Sequence, residues 1–130
     1  MDRSSDWLKQ AERDLDQAKL SLREGFYEWA CFAAQQSAEK AVKALCEKHN
    51  VIIRTHQLMG LMKALNDFED ITDEVYQKGV VLDRFYIPTR YPNGFTNGAR
   101  MEYFFHEDAE EAINNAEIVI KFCRSKVADS

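Results

Sequence analysis

The stretch EWACFAAQQSAEKAVKALCEKH, residues 28 to 49, decides the fold. It is rich in alanine and carries larger apolar residues at helical spacing, among them Trp29, Phe32 and Leu45. This pattern predicts a long helix. Because alanine side chains are small, they permit a neighbouring helix to approach closely. We therefore expect residues 28–49 to pack against other helices.

Helical spacing continues on both sides of this stretch. Towards the N-terminus, a helix is predicted from Asp6 to Arg23, with Ser5 as its N-cap and a break at Gly25. Towards the C-terminus, Thr55 is predicted to cap a shorter helix that runs through Leu65. The apolar positions of these two helices are Trp7, Leu8, Ala11, Leu15, Ala18, Leu22, Leu58, Leu61, Met62 and Leu65.

Two further helices complete the pattern. One is predicted over residues 71–86, and the other follows an apolar stripe from Met101 to Cys123. No run of alternating polar and apolar residues indicates a strand, and 130 residues suffice for a single domain with its own core. The predicted architecture is all-α: an antiparallel up-and-down helical bundle of about five helices over residues 1–130.

The stretch LDRFYIPTRYPNGF, residues 82 to 95, interrupts this pattern with both prolines of the chain. Pro88 and Pro92 disfavour helical geometry at the residues before them, so the fourth helix must stop near Tyr86. Seven of the 15 aromatic residues lie between Phe85 and Phe105. We expect an ordered loop, longer than a usual helix connection, and loops of this kind often carry function.

Charge also sets this region apart. The chain carries a net charge of −5, which argues against broad, non-specific binding of nucleic acid. Residues 84–101 nevertheless hold three arginines, Arg84, Arg90 and Arg100, and no acidic residue. If Asn97 caps the fifth helix, Arg100 lies in its first turn, where a cation opposes the helix dipole. A bound anion would explain that arrangement, and the alternative is an ion pair with a nearby acidic residue.

Other classes of site find no support. His49, His56 and His106 lack metal-ligand spacing, and no glycine-rich phosphate loop or nucleophile motif occurs, so we expect no metal and no cofactor. Cys31, Cys46 and Cys123 are typical of reduced, buried thiols in a cytoplasmic protein. No window is long and apolar enough for a membrane span, and the N-terminus has no secretory signal.

The chain resembles the HEPN family (higher eukaryotes and prokaryotes nucleotide-binding). The matching pieces cover about 120 residues. The most specific of them are FAAQQSAEKAVKAL and TRYP. The resemblance implies an up-and-down helical bundle that is often a homodimer. It also implies a minimal nucleotidyltransferase as partner in a toxin–antitoxin-type pair.

Many members of the family are metal-independent endoribonucleases that use an arginine followed four to six residues later by a histidine. Arg90 lies in the TRYP motif, but residues 95–97 include no histidine. Arg100 and His106 have five residues between them and fit the spacing. The resemblance therefore implies Arg100 and His106 as the catalytic pair. Arg84, Arg90, Tyr91 and Arg100 are the candidates for binding the phosphate of a nucleotide or RNA.

Three functions remain open at this point. The chain is a HEPN partner protein that acts on or binds RNA, or a non-catalytic module that binds nucleotide or protein, or a structural bundle that dimerises through its aromatic cluster. An RNA-cleavage assay beside a nucleotide titration separates the first two.

Overall fold

The computed structural model describes residues 2–86 and 98–129, and five α-helices account for most of them. They are α1 (Ser4–Arg23), α2 (Tyr27–Lys48), α3 (Leu58–Leu65), α4 (Asp73–Leu82) and α5 (His106–Ala128). Two short 3-10 turns, Asp83–Phe85 and Arg100–Tyr103, lie between α4 and α5. No strand occurs within the described ranges, which confirms the predicted all-α bundle. None of the helices in these ranges could cross a membrane.

Helix α2 is the centre of the bundle and packs against all four of the other helices. The prediction that its alanines admit close neighbours is confirmed, because five of them are completely buried. These are Ala30, Ala34, Ala38, Ala41 and Ala44. Leucines of α3 and the apolar stripe of α5 fill the remaining core. The three cysteines are free and buried, as predicted.

The turn between α1 and α2 follows the prediction. Helix α1 ends at Arg23, and Gly25 has a φ of +84°, a conformation that favours glycine. The start of α1 differs from the prediction, because Ser5 lies inside the helix, which begins at Ser4. The Asp2 carboxylate accepts the Ser4 amide at 2.8 Å and so takes the capping role.

The predicted start of the fifth helix is wrong. Residues 100–103 form a separate 3-10 turn, Phe104 and Phe105 are extended, and α5 begins at His106. The Phe105 amide donates to the Asp108 carboxylate at 2.8 Å, which stabilises a helix start at this point. Arg100 therefore lies outside α5, and its position offers no evidence of a cation placed against that helix's dipole.

The fourth helix is shorter than predicted, since the α-helical part of residues 71–86 ends at Leu82. Thr72 caps it by accepting the Val75 amide at 3.2 Å. Thr55 is not the cap of α3, because that helix begins three residues later, after Gln57. The Thr55 hydroxyl accepts the Gln57 amide at 3.1 Å, which orders the connection instead.

Candidate functional site

The predicted site residues are only partly within the described structure. Arg84 is exposed in the 83–85 turn, and it makes no hydrogen bond or ion pair in residues 2–86 and 98–129. The backbone of Arg100 begins the 100–103 turn, but its side chain is not described. Arg90 and Tyr91 lie outside the described residues. His106 is the first residue of α5 and is exposed.

The 83–85 turn and the chain before α5 meet through two aromatic rings. The ring centroids of Phe85 and Phe104 are 5.9 Å apart, and both residues pack against the core. Each 3-10 turn also packs against α2. The backbones that carry Arg84 and Arg100 are therefore held on the same side of the bundle, next to α2.

His106 lies against the beginning of α2. Its imidazole meets the Tyr27 ring edge to face, with centroids 5.7 Å apart and planes at 81°. A shallow groove of about 430 Å³ opens here, lined by Tyr27, Phe105, His106, Glu107 and Asp108. The two acidic residues of this first turn complement the helix dipole themselves. His106 is thus an accessible imidazole beside two carboxylates, and no described contact joins it to Arg84.

A buried polar row on α2 was missed by the sequence analysis. Gln35, Glu39 and Lys43 follow one another at intervals of four residues and are 0%, 2% and 6% exposed. The Lys43 ammonium donates to the Glu39 carboxylate at 2.7 Å and lies 5.4 Å from the centroid of the Trp7 ring. Glutamate and lysine are almost never fully buried unless they are paired. Their four-residue spacing places them on one face of the helix, but that spacing does not distinguish a buried face from an exposed one.

His56 lies over the end of this row. Its Nδ1 is 3.3 Å from the Lys43 ammonium and 3.5 Å from a Glu39 carboxylate oxygen. Its ring stacks on Tyr86, with centroids 6.2 Å apart and planes at 20°. The backbone carbonyl of His56 accepts the Gln35 amide at 3.4 Å. We call Glu39, Lys43, His56 and Tyr86 the His56 cluster.

Asp83 connects this cluster to α3. Its carboxylate accepts the amides of Leu58 at 2.7 Å and Met59 at 3.0 Å, the first two residues of that helix. Burial raises the pKa of Asp83, and the two amide bonds oppose that rise. Asp83 is therefore the N-terminal cap of α3, supplied from a residue 25 positions away rather than from the predicted Thr55.

The described part of the chain contains no candidate metal site. No group of three or more histidine, cysteine, aspartate or glutamate side chains is arranged there to hold an ion. The carboxylates of the site have protein partners instead: Glu39 holds Lys43, and Asp83 holds two amides.

Comparisons with known proteins agree with one another. The family model of the HEPN domain matches residues 4–126. A protein of Methanocaldococcus jannaschii with the name "Putative toxin MJ1304" is 30% identical over 124 residues, covering 88% of this chain and 82% of that protein.

Solved structures are similar over almost the whole chain. TT1696 from Thermus thermophilus is 38% identical, with a TM-score of 0.91 over 97% of this chain and 99% of that one. ST0689, an archaeal HEPN homologue, is also 38% identical, with a TM-score of 0.83 over 98% and 99%. The HEPN domain protein TM0613 from Thermotoga maritima is 30% identical, with a TM-score of 0.78 over 95% and 98%.

Proposed function

The chain belongs to the HEPN domain family, and on that premise we propose that it is the toxin-type member of a toxin–antitoxin pair. The observation that carries the proposal is the likeness to a protein named as a toxin, which extends over 88% of this chain. Its partner in the pair is a minimal nucleotidyltransferase, and the pair acts in the cytoplasm. The ligand is the phosphate of a nucleotide or RNA.

Phosphate binding is assigned to Arg84, Arg90, Tyr91 and Arg100. Arg84 supports this assignment, because its guanidinium is exposed and unpaired in the part of the chain that is described. The three arginines concentrate positive charge in an otherwise acidic chain. A guanidinium binds phosphate oxygens in a bidentate way, and Tyr91 supplies an aromatic face for stacking on a base.

Metal-independent RNA cleavage is the activity we assign to Arg100 and His106. Such cleavage needs a group that takes the proton of the ribose 2′-hydroxyl and a cation that stabilises the charge on the phosphorus centre. The accessible imidazole of His106 suits the first role, and a guanidinium suits the second. The alternative function is a non-catalytic module that binds nucleotide or protein through the same arginines.

Two exposed apolar surfaces support the binding of other protein chains. Near the start of α5, Met101 and Phe105 are 64% and 67% exposed, and we assign this surface to a homodimer contact. Between α1 and α2, a groove of about 560 Å³ is lined partly by the exposed rings of Phe26 and Trp29. We assign this groove to the partner protein.

The proposed function is tested on the purified protein with labelled single-stranded RNA in EDTA. Arg84→Ala, Arg90→Ala and Arg100→Ala should each weaken binding by about tenfold or more, with almost unchanged melting temperatures. His106→Ala should abolish cleavage and leave most of the binding intact. Arg13→Ala is the matched control, because Arg13 is exposed on α1 and makes no ion pair in the described structure.

Three outcomes would contradict the proposal. If the arginine variants have clearly lower melting temperatures and the parent protein shows no detectable binding, the arginines stabilise the fold only. Binding without cleavage would favour the non-catalytic module. Failure to copurify with a co-expressed minimal nucleotidyltransferase would remove the partner assignment.

A further inference from the structure

The His56 cluster combines a buried interior with an open outer edge. Lys43 and Glu39 have side chains that are 8% and 3% exposed, whereas the His56 side chain is 63% exposed. Nδ1 of His56 faces the buried ion pair, so Nε2, on the other side of the ring, faces outward. No hydrogen bond to Nε2 occurs within residues 2–86 and 98–129. The cluster therefore presents one unused nitrogen at the surface.

The neighbours of Nδ1 determine which nitrogen carries the proton. An ammonium group has donors and no acceptor, so a hydrogen bond from Lys43 to Nδ1 requires an unprotonated Nδ1. The neutral ring then carries its proton on Nε2. Glu39 lies farther from Nδ1, at 3.5 Å, and already accepts from Lys43 at 2.7 Å. The inferred tautomer turns the outer edge of His56 into a hydrogen-bond donor.

Two arginines lie close to the His56 cluster in the sequence. Arg54 lies two residues before His56 in the connection to α3, and Arg84 lies two residues before Tyr86, the ring that stacks on His56. Both arginines are exposed and make no ion pair within the described ranges. The nearby carboxylates of Glu39 and Asp83 are occupied by Lys43 and by the α3 amides. These two carboxylates therefore leave the arginine side chains without an acidic partner at Glu39 or Asp83.

We propose that Arg54, His56 and Arg84 form a phosphate-binding site, in which Nε2–H of His56 donates to a phosphate oxygen. Lys43 and Glu39 act as positioning residues, because they hold the tautomer without reaching the ligand. The choice of a nucleotide or RNA phosphate as ligand rests on the proposed function. The site itself rests on the contacts of His56.

His56 and His106 lie at different places on the molecule, and Arg84 belongs to both proposed sets. His106 contacts Tyr27 at the start of α2, whereas His56 contacts Glu39, twelve residues later. At 1.5 Å per residue, these two points on α2 are about 18 Å apart along the helix axis. Variants at the two histidines therefore report on different places.

Direct evidence would come from protein whose histidine side chains carry nitrogen-15. Long-range proton–nitrogen NMR spectra are recorded while pyrophosphate is added. We expect the Nε2–H tautomer for His56 in the free protein and a pyrophosphate-dependent shift of its Nε2 resonance. The double variant Glu39→Gln/Lys43→Met keeps the row neutral and should release the tautomer preference. A His56 resonance that pyrophosphate leaves unmoved would overturn the proposal.

Binding of ATP and of a labelled single-stranded RNA then identifies the source of the phosphate. His56→Phe keeps a ring against Tyr86 but removes both nitrogens, and it should weaken binding by about tenfold. His56→Gln restores a donor and should recover part of that loss. His49→Phe is the matched control and should bind as tightly as the parent. A merely structural His56 would leave the affinity of His56→Phe unchanged, and that result would overturn the proposal.

The outcomes also separate this proposal from the proposed function. If pyrophosphate shifts His56 but neither ATP nor RNA binds, the anion site stands and the nucleotide or RNA function fails. If RNA binds and His56→Phe has no effect, the function stands and the His56 site fails.

Discussion

Two histidines before α3, His49 and His56, differ in their surroundings. His49 lies at the end of α2 and stacks on Phe68, with ring centroids 5.3 Å apart and planes at 22°. His56 stacks on Tyr86 at 6.2 Å and 20°. Each imidazole also faces a glutamate, Glu69 in one case and Glu39 in the other. We call His49, Phe68 and Glu69 the His49 cluster.

The difference lies in which part of each cluster is buried. His49 is 21% exposed, and its Nε2 meets the Glu69 carboxylate directly at 2.5 Å, so its polar edge is already occupied. In the His56 cluster, the glutamate is occupied by Lys43, and the exposed imidazole keeps a nitrogen free of described partners. An aromatic stack and a nearby carboxylate are therefore insufficient to identify a site. The deciding feature is whether an exposed nitrogen of the imidazole remains without a partner in the described structure.

The largest expected effect is on the ion pair beneath His56. Lys43→Met leaves the Glu39 charge buried without its partner, which should destabilise the protein by about 3–5 kcal/mol. The corresponding change in the His49 cluster, Glu69→Gln, removes the carboxylate charge but keeps an acceptor oxygen, and should cost about 1 kcal/mol. Urea unfolding of both variants measures the contrast.

A double variant sharpens that test. Glu39→Leu/Lys43→Met removes both charges and should regain most of the lost stability, because the penalty comes from the unpaired charge. Equal losses for Lys43→Met and Glu69→Gln would mean that the α2 pair is no more critical than the His49 contact.

The next effect concerns the cap at the His56 end of α3. Asp83→Ala leaves the amides of Leu58 and Met59 without their acceptor and should cost about 1–2 kcal/mol. Thr72→Ala, which removes a local cap of α4, is the control for a single capping bond. A loss smaller than that of Thr72→Ala would show that Asp83 adds little to α3.

Asp83 should also make stability depend on pH. Burial raises its pKa above the ordinary value of 3.8, so the folded chain binds this proton more tightly than the unfolded chain does. The resulting contribution to stability is fully present below pH 3.8 and is lost as pH rises through the raised pKa. In thermal unfolding between about pH 3.5 and about pH 6, the stability of Asp83→Asn relative to the parent protein should increase as pH rises. The opposite trend would contradict the raised pKa.

A smaller effect is expected from the two histidines themselves. His49→Phe keeps a ring against Phe68 but leaves the Glu69 carboxylate unpaired, at a cost of about 1–2 kcal/mol. His56→Phe alters a mostly exposed side chain and should change stability by about 0.5 kcal/mol or less. Equal losses in denaturant unfolding would remove the distinction between the two clusters.

The smallest expected signal is the labelling of the cysteine thiols in the folded protein. Cys46, one turn before His49, is buried, and desolvation raises its pKa to about 11. Burial also raises the pKa of Cys123. A thiol reagent at neutral pH should therefore label none of the cysteines of the folded protein quickly, while all of them react in denaturant. Rapid labelling of Cys46 in the folded protein would show that packing near His49 is loose.

Much of the fold follows from local sequence patterns. The alanines of α2, the apolar stripe of α5 and the break at Gly25 were interpreted correctly, because helix periodicity and backbone preference depend on neighbours in the chain. The predicted caps Ser5 and Thr55 were wrong, since a hydroxyl near a helix start is a weak signal when a carboxylate is available. Asp2 and Asp83 accept the amides instead.

The candidate site could be predicted only in part. Local charge marked Arg84, Arg90 and Arg100. The interpretation of Arg100 and His106 as a catalytic pair came from the family resemblance. The role of the Gln35, Glu39 and Lys43 row was missed, since polar residues at four-residue intervals are usual on an exposed helix face. Their burial depends on α2 being surrounded by other helices, which no local pattern states.

By itself, the sequence determined the helices, the close packing at the alanines of α2 and the region rich in arginine, because these depend on residue type and spacing. Tertiary structure alone decided that Asp83 caps α3, that His49 is held by Glu69, and that His56 stands over a buried ion pair. Each of these contacts joins residues 13 to 25 positions apart in the chain. Such pairs form only when packing of the apolar faces brings their helices together.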